Sequence, residues 1–277
     1  MTAGSDEAQD AVAFAATVQR FSGFADHYDR CRPQPPAALA GLLAQFGGGE
    51  PPALVVDLGS GTGLSSRYWA DKAHQVVGIE PSADMRAEAL RRTTATNVRF
   101  IAGYAHRTPL AAQCAQIVTC MQSLHWMEPQ GTFAEARRLL VPGGVFAAID
   151  YDWPPATISW QAAQAWSRCT ERIEELEQVL PRERRAPRWD KAGHLTRMRE
   201  SGMFRHSREL LLHHRDEGDA DRYIGLLRSQ GGLMDLLKAG HAESALGLPQ
   251  FEAAARTLLG SAPQHWHWGA RVRLGVV

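Results

Sequence analysis

The sequence predicts an α/β fold in which a doubly wound, mostly parallel sheet of seven strands carries helices on both faces. Two observations support this prediction. From residue 53 onward, short apolar runs alternate with helix-like stretches, which is typical of parallel strands that are buried on both sides. The first run ends in three glycines at alternate positions, Gly59, Gly61 and Gly63, before a helical stretch. A buried strand, a tight turn and a helix start are therefore expected there.

The apolar runs place the strands at residues 54–58, 75–80, 98–102, 115–121, 144–151, 204–214 and 264–277. Helices are predicted over 37–46, 64–72, 83–93, 131–140, 159–180 and 190–200, and helical spacing is also present over 11–24. Residues 140–144, with one proline and two glycines, are expected to end a helix and turn into the fifth strand.

Two helical insertions are predicted after the fifth and sixth strands, at residues 157–187 and 216–260. Gly231-Gly232, Gly240 and Pro249 are expected to interrupt helices in the second insertion. Loops on a rigid sheet commonly carry specificity, so the insertions are expected to cover a substrate. Residues 1–50 are expected to form an N-terminal helical cap, of which the first ten are small, polar and disordered.

The charge balance excludes some classes of partner. The 277 residues contain 30 lysines and arginines against 30 aspartates and glutamates, with 44% hydrophobic and 22% charged residues overall. A chain without net charge has no global field to capture nucleic acid or an anionic membrane. We therefore expect a substrate that is a small molecule or at most a short polymer, no nucleic-acid partner and no membrane partner, and the oligomeric state stays open.

The cysteines and histidines show no metal motif. Cys31, Cys114, Cys120 and Cys169 lack metal-ligand spacing, and no secretory signal is visible, so a reduced cytoplasmic setting is the simplest interpretation. No apolar run approaches the roughly 20 residues that span a bilayer. Strand alternation places His265 and His267 on one face, but a third ligand is not identifiable and no metal site is predicted.

Five stretches of the chain resemble the S-adenosylmethionine-dependent methyltransferases of the seven-stranded, Rossmann-like class, and more narrowly the type 11 small-molecule group similar to trans-aconitate methyltransferases. The resemblance covers residues 26–152 well and the rest in outline. It is carried by Val55 to Gly63, Val77 to Ser82 with Met85, Thr108-Pro109-Leu110, Gln122 to Trp126, and Leu139 to Gly144.

The resemblance implies S-adenosylmethionine as cofactor and S-adenosylhomocysteine as product. Backbone at the glycine turn would lie against the methionine and ribose portions, Asp57 would bind the ammonium end and orient the loop, and Glu80 would accept hydrogen bonds from the ribose hydroxyls. The cofactor-binding residues implied in this way are Tyr28, Arg32, Asp57, Gly59, Ser60, Gly61, Gly63, Glu80, Pro81, Met85, Tyr104, Ala105, Gln122 and Ser123.

The sequence departs from this family at two places. Relatives usually have an acidic residue near Tyr104 or His106 that meets the adenine amino group, and this chain has none. Adenine recognition is then expected to depend on the backbone of Ala105 and stacking by Tyr104. Relatives also often have Phe-Asp where this chain has Ala115-Gln116.

Methyl transfer from a sulfonium is an in-line displacement that depends mainly on alignment and exclusion of water. A base is needed only if the acceptor must lose a proton, and the choice among oxygen, nitrogen and carbon acceptors stays open. His125 is the first candidate base and His106 the second, because histidine accepts a proton near neutrality. The residues expected to contact the acceptor are His27, Trp126, Tyr151 and Trp153.

The length allows one elaborated domain or two small domains, and one is favoured. The whole chain, 1–277, is predicted to form a single methyltransferase domain, with a cofactor-binding core at 51–152 and the C-terminal part of the sheet at 153–277. One rival hypothesis is an inactive scaffold or regulatory subunit that binds the cofactor. A second is a nicotinamide-dependent oxidoreductase, which the G-x-G-x-G spacing disfavours. A nucleic-acid methyltransferase is disfavoured by the charge balance, and the basic run at 182–188 is expected to be solvated.

Overall fold

The computed structural model describes residues 14–48, 51–181 and 186–277. The expectations for residues 1–10, and for most of the basic run at 182–188, therefore lie outside the described residues. The strands are β1 (Leu54–Leu58), β2 (Gln75–Ile79), β3 (Val98–Ile101), β4 (Ala115–Met121), β5 (Leu140–Tyr151), β6 (His206–Gly218) and β7 (Gln264–Val276).

All seven strands form one sheet in the order β3-β2-β1-β4-β5-β7-β6. The five strands from β3 to β5 are parallel, and β7 runs antiparallel to β5, with Tyr151 opposite Ala270. The predicted seven-stranded, mostly parallel sheet is confirmed. The order reverses between β1 and β4, and open sheets bind ligands at the carboxyl ends of the strands beside such a reversal.

The helices precede, separate and follow these strands. They are α1 (Ala15–Arg20), α2 (Ala25–Cys31), α3 (Leu39–Gly47), α4 (Leu64–Tyr68), α5 (Ala83–Arg92), α6 (Pro129–Leu139), α7 (Trp160–Gln178), α8 (His194–Glu200), α9 (Ala220–Arg228), α10 (Gly231–Lys238) and α11 (Leu248–Leu259). Short 3-10 helices lie at Leu124–Trp126 and Glu243–Leu246.

The chain divides into two units. The sheet unit comprises Gln34–Tyr151, Arg188–Leu212 and Ala270–Val277, and the helical unit comprises the described residues of Met1–Pro33, Asp152–Pro187 and His213–Gly269. Strands β6 and β7 contribute residues to both units. The prediction of a single domain over the whole chain stays a prediction.

The apolar strands of the sheet unit are buried on both faces, as their composition predicts. On one face Val56 and Val118 pack with Phe133 of α6, and on the other Val55 and Val145 pack in a second cluster. That second cluster includes Leu39 and Leu43 of α3. The helix α3, which lies within the predicted N-terminal cap, thus packs against one face of the sheet.

The fifth strand begins earlier than the sequence predicts. Leu140 already pairs with Ala115, and Val145 pairs with Ile117, so four residues of β5 are accommodated opposite one residue of β4. Gly143 takes a φ of +81° within this irregularity. The expected turn at residues 140–144 is therefore a bulged part of the strand, because pairing with β4 continues on both sides of it.

One helical prediction is corrected, whereas the interruptions predicted near Gly231-Gly232 and Pro249 are present, between α9 and α10 and directly before α11. In the described part of the stretch 11–24, from residue 14 onward, one short helix is present, and an unpredicted helix, α2, follows Gly23, whose φ of +87° separates the two. Gly231-Gly232 begins α10, where its backbone N–H groups need no partner within the helix. Pro249 lies in the first turn of α11, where a proline is well tolerated.

In the helical unit, α7 carries aromatic side chains that pack with those of α9, α11 and β7. Trp166 contacts Tyr223 and Phe251 edge to face, and Tyr223 contacts Trp266. Arg20 is 2% exposed and forms ion pairs with Glu177 and Asp235, which bind α1 to α7 and α10. Among the described residues, no helix is long and apolar enough to cross a membrane.

Gly78 and Gly41 offer a matched pair of substitutions. A Cβ on Gly78 in β2 would lie 2.6 Å from the Phe100 ring and 2.7 Å from Ser60 Oγ, whereas one on Gly41 in α3 meets no described atom within 4 Å. We expect Gly78→Ala to lower the free energy of unfolding by about 1–3 kcal/mol through overpacking, and Gly41→Ala to raise it by roughly 0.5–1 kcal/mol. Urea denaturation measures both, and equal effects would contradict the packing described for β2.

Candidate active site

Three parallel strands bring the residues of the site to one edge of the sheet. Asp57 of β1 lies opposite Gly78 of β2 and opposite Thr119 of β4. The glycine turn follows β1, Glu80 follows β2, and Gln122 follows β4. The carboxyl ends of these strands therefore place all three at the edge where open α/β sheets bind ligands.

The glycine turn is held by the end of β2. Gly59 N and Ser60 N both donate to the carbonyl oxygen of Ile79, at 2.8 and 3.1 Å, and Gly63 N donates to Ser60 O at 2.9 Å. The hydroxyls of Ser60 and Thr62 are buried and have no hydrogen-bond partner within the described part of the chain. The turn thus has a fixed backbone and unsatisfied polar groups.

The three glycines take left-handed conformations, with φ of +66° at Gly59, +55° at Gly61 and +82° at Gly63. A Cβ on Gly59 would lie 2.5 Å from Met127 Cε, and one on Gly63 would lie 2.7 Å from the Phe100 ring. A Cβ on Gly61 would meet no described atom within 4 Å. Protein packing therefore excludes a side chain at Gly59, and the space that a ligand requires is present at Gly61.

Asp57 is fully buried, and hydroxyl groups hold it. Its Oδ2 accepts from Ser66 Oγ at 2.7 Å and its Oδ1 accepts from Thr119 Oγ1 at 3.0 Å. Burial raises the pKa of Asp57 from 3.8 to about 6, against the effect of these hydrogen bonds. Asp57 therefore connects β1, β4 and α4. The expected contact with an ammonium group stays a prediction.

Glu80 ties the end of β2 to the glycine turn. Its Oε2 accepts from Gly61 N at 3.0 Å and its Oε1 accepts from Ser82 N at 2.9 Å. The side chain is 8% exposed, and burial raises its pKa while both hydrogen bonds and Arg86 oppose the shift. A carboxylate has about four lone-pair positions, so each oxygen keeps capacity for one further donor.

The residues after Glu80 have structural partners. Ser82 caps α5, with its Oγ accepting from Met85 N at 3.4 Å. Met85 itself is 2% exposed and packs in the interior, whereas Pro81 is partly exposed. Of these two predicted cofactor contacts, only Pro81 presents surface to a ligand in this structure.

Gln122 follows β4 in a strained conformation, with a φ of +55° for a residue that is not glycine. Its backbone N donates to Ile149 O at 2.8 Å, and its side-chain Oε1 accepts from Lys191 Nζ at 2.9 Å. The Nε2 atom is buried and has no hydrogen-bond partner among residues 14–48, 51–181 and 186–277. Ser123, next in the chain, donates its hydroxyl to Leu58 O at 2.8 Å.

His125 lies beside a buried carboxylate. Its Nδ1 is 3.7 Å from Asp150 Oδ1, and its ring packs against Trp126 at 4.6 Å between centroids. Asp150, 3% exposed at the end of β5, also pairs with Lys191 Nζ at 3.0 Å and with Arg273 Nη1 at 3.0 Å. The first candidate base thus lies beside one member, Asp150, of a cluster of ionic side chains.

His194 of α8 lies near this cluster and is fully buried. Burial lowers its pKa to about 4, with the positive charges of Arg197, Arg273 and Lys191 acting in the same direction and Asp150 against them. Arg197 Nη2 donates to its Nδ1 at 2.8 Å. His194 is therefore neutral near pH 7.

Three residues of this cluster, Asp150, Lys191 and Arg273, are not among the site residues predicted from the sequence. Asp150 carried a usable signal, because it is an acidic residue inside the apolar run of β5, directly before Tyr151. Lys191 and Arg273 have no such signal in the sequence. They lie far from Asp150 along the chain, in the segment before α8 and in β7.

The second candidate base, His106, lies in different surroundings. Its ring stacks on Tyr104 at 5.8 Å after β3, and its Cβ would lie 2.9 Å from a Cβ on Gly131 at the start of α6. Ala105 is 8% exposed. Tyr104, Ala105 and His106 thus form one local group, and its role in adenine recognition stays a prediction.

Four predicted residues belong to the helical unit. Arg32 donates from Nε to Ser229 Oγ at 2.9 Å and lies between the rings of Tyr28 and Trp153, at 4.6 and 4.8 Å. His27 contacts Gly225 O at 3.1 Å. Their predicted contacts with cofactor and acceptor stay predictions.

Two further residues have defined surroundings in the sheet unit. Tyr151 is 3% exposed and donates its hydroxyl to Gln34 O, and Arg188 lies over the ring of Trp126 at 5.8 Å. Within the described residues, no group of three or more histidine, cysteine, aspartate or glutamate side chains is arranged to hold a metal ion.

Part of the chain is similar in sequence to known methyltransferases. Residues 56–148 match the family model described as a methyltransferase domain. An uncharacterized methyltransferase of Mycobacterium tuberculosis is 32% identical over 118 residues, which are 42% of this chain and 46% of the relative. A malonyl-[acyl-carrier protein] O-methyltransferase of Pectobacterium atrosepticum is 29% identical over 157 residues, 56% of this chain and 58% of the relative. The chain thus spans about half the length of the curated relatives that it matches.

A solved structure, described as a candidate type II methyltransferase from Anaeromyxobacter dehalogenans, superposes with a TM-score of 0.65 and 23% sequence identity. The match covers 88% of this chain and 97% of the solved chain. At this level of identity the likeness shows a shared fold.

The buried carboxyl of Asp57 predicts a pH-dependent stability. Because its folded pKa of about 6 exceeds the ordinary 3.8, the folded state holds the proton more tightly, and stability falls as pH rises through the folded value. Asp57→Asn removes this titration. The free energy of unfolding of the variant, relative to the wild type, is expected to rise by about 2–3 kcal/mol between about pH 4 and pH 7.5.

Urea denaturation across that pH range measures the difference between the two proteins. Asp84→Asn, at an exposed position of α5, is the matched control and should track the wild type. A constant difference between Asp57→Asn and the wild type would contradict the raised pKa.

Proposed function

We propose that the protein transfers a methyl group from S-adenosylmethionine to a small-molecule acceptor, in agreement with the match of residues 56–148 to a methyltransferase domain. The observation that supports this most strongly is the geometry at Gly61. Its N–H donates to Glu80 Oε2, and a Cβ on this residue would meet no described atom within 4 Å. Backbone held in this way can lie directly against a ligand.

The residues at the strand ends fit this cofactor. Glu80 would accept hydrogen bonds from the two ribose hydroxyls, using the lone-pair positions that Gly61 and Ser82 leave unoccupied. The buried amide Nε2 of Gln122 would donate to the amino-acid portion. The bound cofactor supplies a methyl group that its positive sulfur already activates, so the protein needs to align the acceptor and exclude water.

His125 is the residue proposed to take a proton where the acceptor must lose one. Its neighbour Asp150 places a negatively charged carboxylate 3.7 Å from Nδ1, and histidine is a residue that can accept a proton near neutral pH. His125 as a whole residue is 5% exposed. An acceptor carboxylate, which is already ionised, would not need this step.

The acceptor is proposed to be small because the chain has no net charge to attract a polyanion. The name of the relative from Pectobacterium atrosepticum adds support for carboxylic acids among the acceptors. Screening should therefore include organic acids, phenols, amines and acidic carbon compounds.

Binding of S-adenosylhomocysteine tests the cofactor site. We expect the compound to raise the melting temperature of the wild type while NAD leaves it unchanged, and we expect Gly61→Arg to abolish the shift by filling the open space. Gly41→Arg is the matched control, because a Cβ there also meets no described atom within 4 Å but lies on an exposed helix surface. A shift with NAD alone, or an unchanged shift in Gly61→Arg, would contradict the proposal.

Transfer of labelled methyl groups to an acceptor panel tests catalysis. For acceptors that must lose a proton, His125→Ala is expected to lower kcat by about 10²–10⁴-fold, while carboxylate acceptors keep most of their turnover. His206→Ala, at an exposed position of β6, is the control. Full turnover of phenols by His125→Ala would exclude the base role, and binding without any turnover would indicate an inactive scaffold.

A further inference from the structure

We propose that Lys191 is a positioning residue that aims the side-chain amide of Gln122 at a carboxylate, the one in the amino-acid portion of the cofactor. This inference rests on the proposed function. It concerns three residues that the family resemblance did not indicate, Lys191, Asp150 and Arg273, and it explains an unpartnered donor at the carboxyl end of β4.

The contact between Lys191 and Gln122 fixes which way the amide points. An ammonium group can only donate hydrogen bonds, so the group 2.9 Å from Lys191 Nζ must be the amide oxygen of Gln122. The amide nitrogen therefore points away from Lys191. That Nε2 atom is buried and finds no hydrogen-bond partner in the described part of the chain. A buried donor without a partner is costly, and a bound acceptor atom would satisfy it.

The backbone of Gln122 is also held in place, by a hydrogen bond to β5. Its φ of +55° is unfavourable for a side chain of this kind, and its N–H is bound to Ile149 O at 2.8 Å. Strain of this kind persists where the surrounding structure over-determines a conformation, and it concentrates at ligand sites.

Lys191 is itself anchored by a chain of ionic contacts that runs through two buried residues, Asp150 and Arg273. Its Nζ lies 3.0 Å from Asp150 Oδ1, and Asp150 Oδ2 accepts from Arg273 Nη1 at 3.0 Å. Arg273 Nε lies 2.7 Å from Glu209 Oε2. Asp150 and Arg273 are each 3% exposed. The ammonium group therefore has a fixed position from which to hold the amide.

The neighbouring residues favour the amino-acid end of the cofactor as the ligand. Ser123, which follows Gln122, has its Cβ 2.8 Å from the position of a Cβ on Gly59 and donates to Leu58 O. The peptide that carries Gln122 thus lies against the glycine turn. A carboxylate is the acceptor that gains most from an amide donor backed by a positive charge.

Equilibrium binding of two nucleosides tests the inference. S-adenosylhomocysteine has the amino-acid portion, and 5′-methylthioadenosine lacks it while keeping the adenosine and the sulfur. We expect Lys191→Met and Gln122→Leu each to weaken S-adenosylhomocysteine binding about tenfold or more, with 5′-methylthioadenosine unchanged. The double variant should lose little beyond either single variant, because both changes remove one oriented donor.

Two further variants complete the test. Lys191→Arg, which keeps a cation able to donate to the amide oxygen, should recover most of the lost affinity. Lys72→Met removes a lysine that also pairs with an aspartate in the sheet unit, Asp71, and should bind both nucleosides like the wild type.

Three results would overturn the inference. Unchanged S-adenosylhomocysteine affinity in Lys191→Met would exclude the positioning role. Equal losses for both nucleosides would show that Lys191 acts on the structure in general. If the wild type binds neither nucleoside, the proposed function itself fails, which separates that failure from the first two.

Discussion

The hydrogen bonds that the carbonyl oxygen of Ile79 accepts from Gly59 N and Ser60 N fix the position of the glycine turn. They join the end of β1 to the end of β2, and Glu80, the next residue after Ile79, then binds back to Gly61 N. The turn and the carboxylate consequently hold each other. The open space at Gly61 therefore lies between two groups of fixed position, the backbone of the glycine turn and the carboxylate of Glu80.

Two buried aspartates near this edge are stabilised in different ways. Asp57 has hydroxyl partners, so burial dominates and raises its pKa to about 6. Asp150 lies between the cations of Lys191 and Arg273, which compensate its charge. The first connects strands and helix beneath the turn, and the second organises the charged side chains beside Gln122 and His125.

The sequence predicts the part of the site that is encoded locally. Gly59, Gly61 and Glu80 lie at strand ends that short apolar runs mark, and the sheet then brings them together by its parallel register. The strand β4 and the residues Gln122 to His125 are predictable for the same reason.

The rest depends on contacts that no local pattern encodes. Lys191 and Arg273 pair with Asp150 from distant parts of the chain, and no motif in the residues around them indicates that they belong to the site. The irregular start of β5 is likewise decided by pairing with β4, which overrides the turn preference of Pro142 and Gly143. The close packing at Gly59 is also not predictable from the local sequence, because the atom nearest to a Cβ there belongs to Met127, in the segment after β4.

A crystal structure of the chain with S-adenosylhomocysteine would show where the cofactor binds. We expect density for the ribose at Glu80, the backbone of Gly61 against the ligand, and the amino-acid carboxylate within hydrogen-bond distance of Gln122 Nε2. Ligand density away from the carboxyl ends of β1, β2 and β4, with the amide of Gln122 still unpartnered, would contradict this expectation.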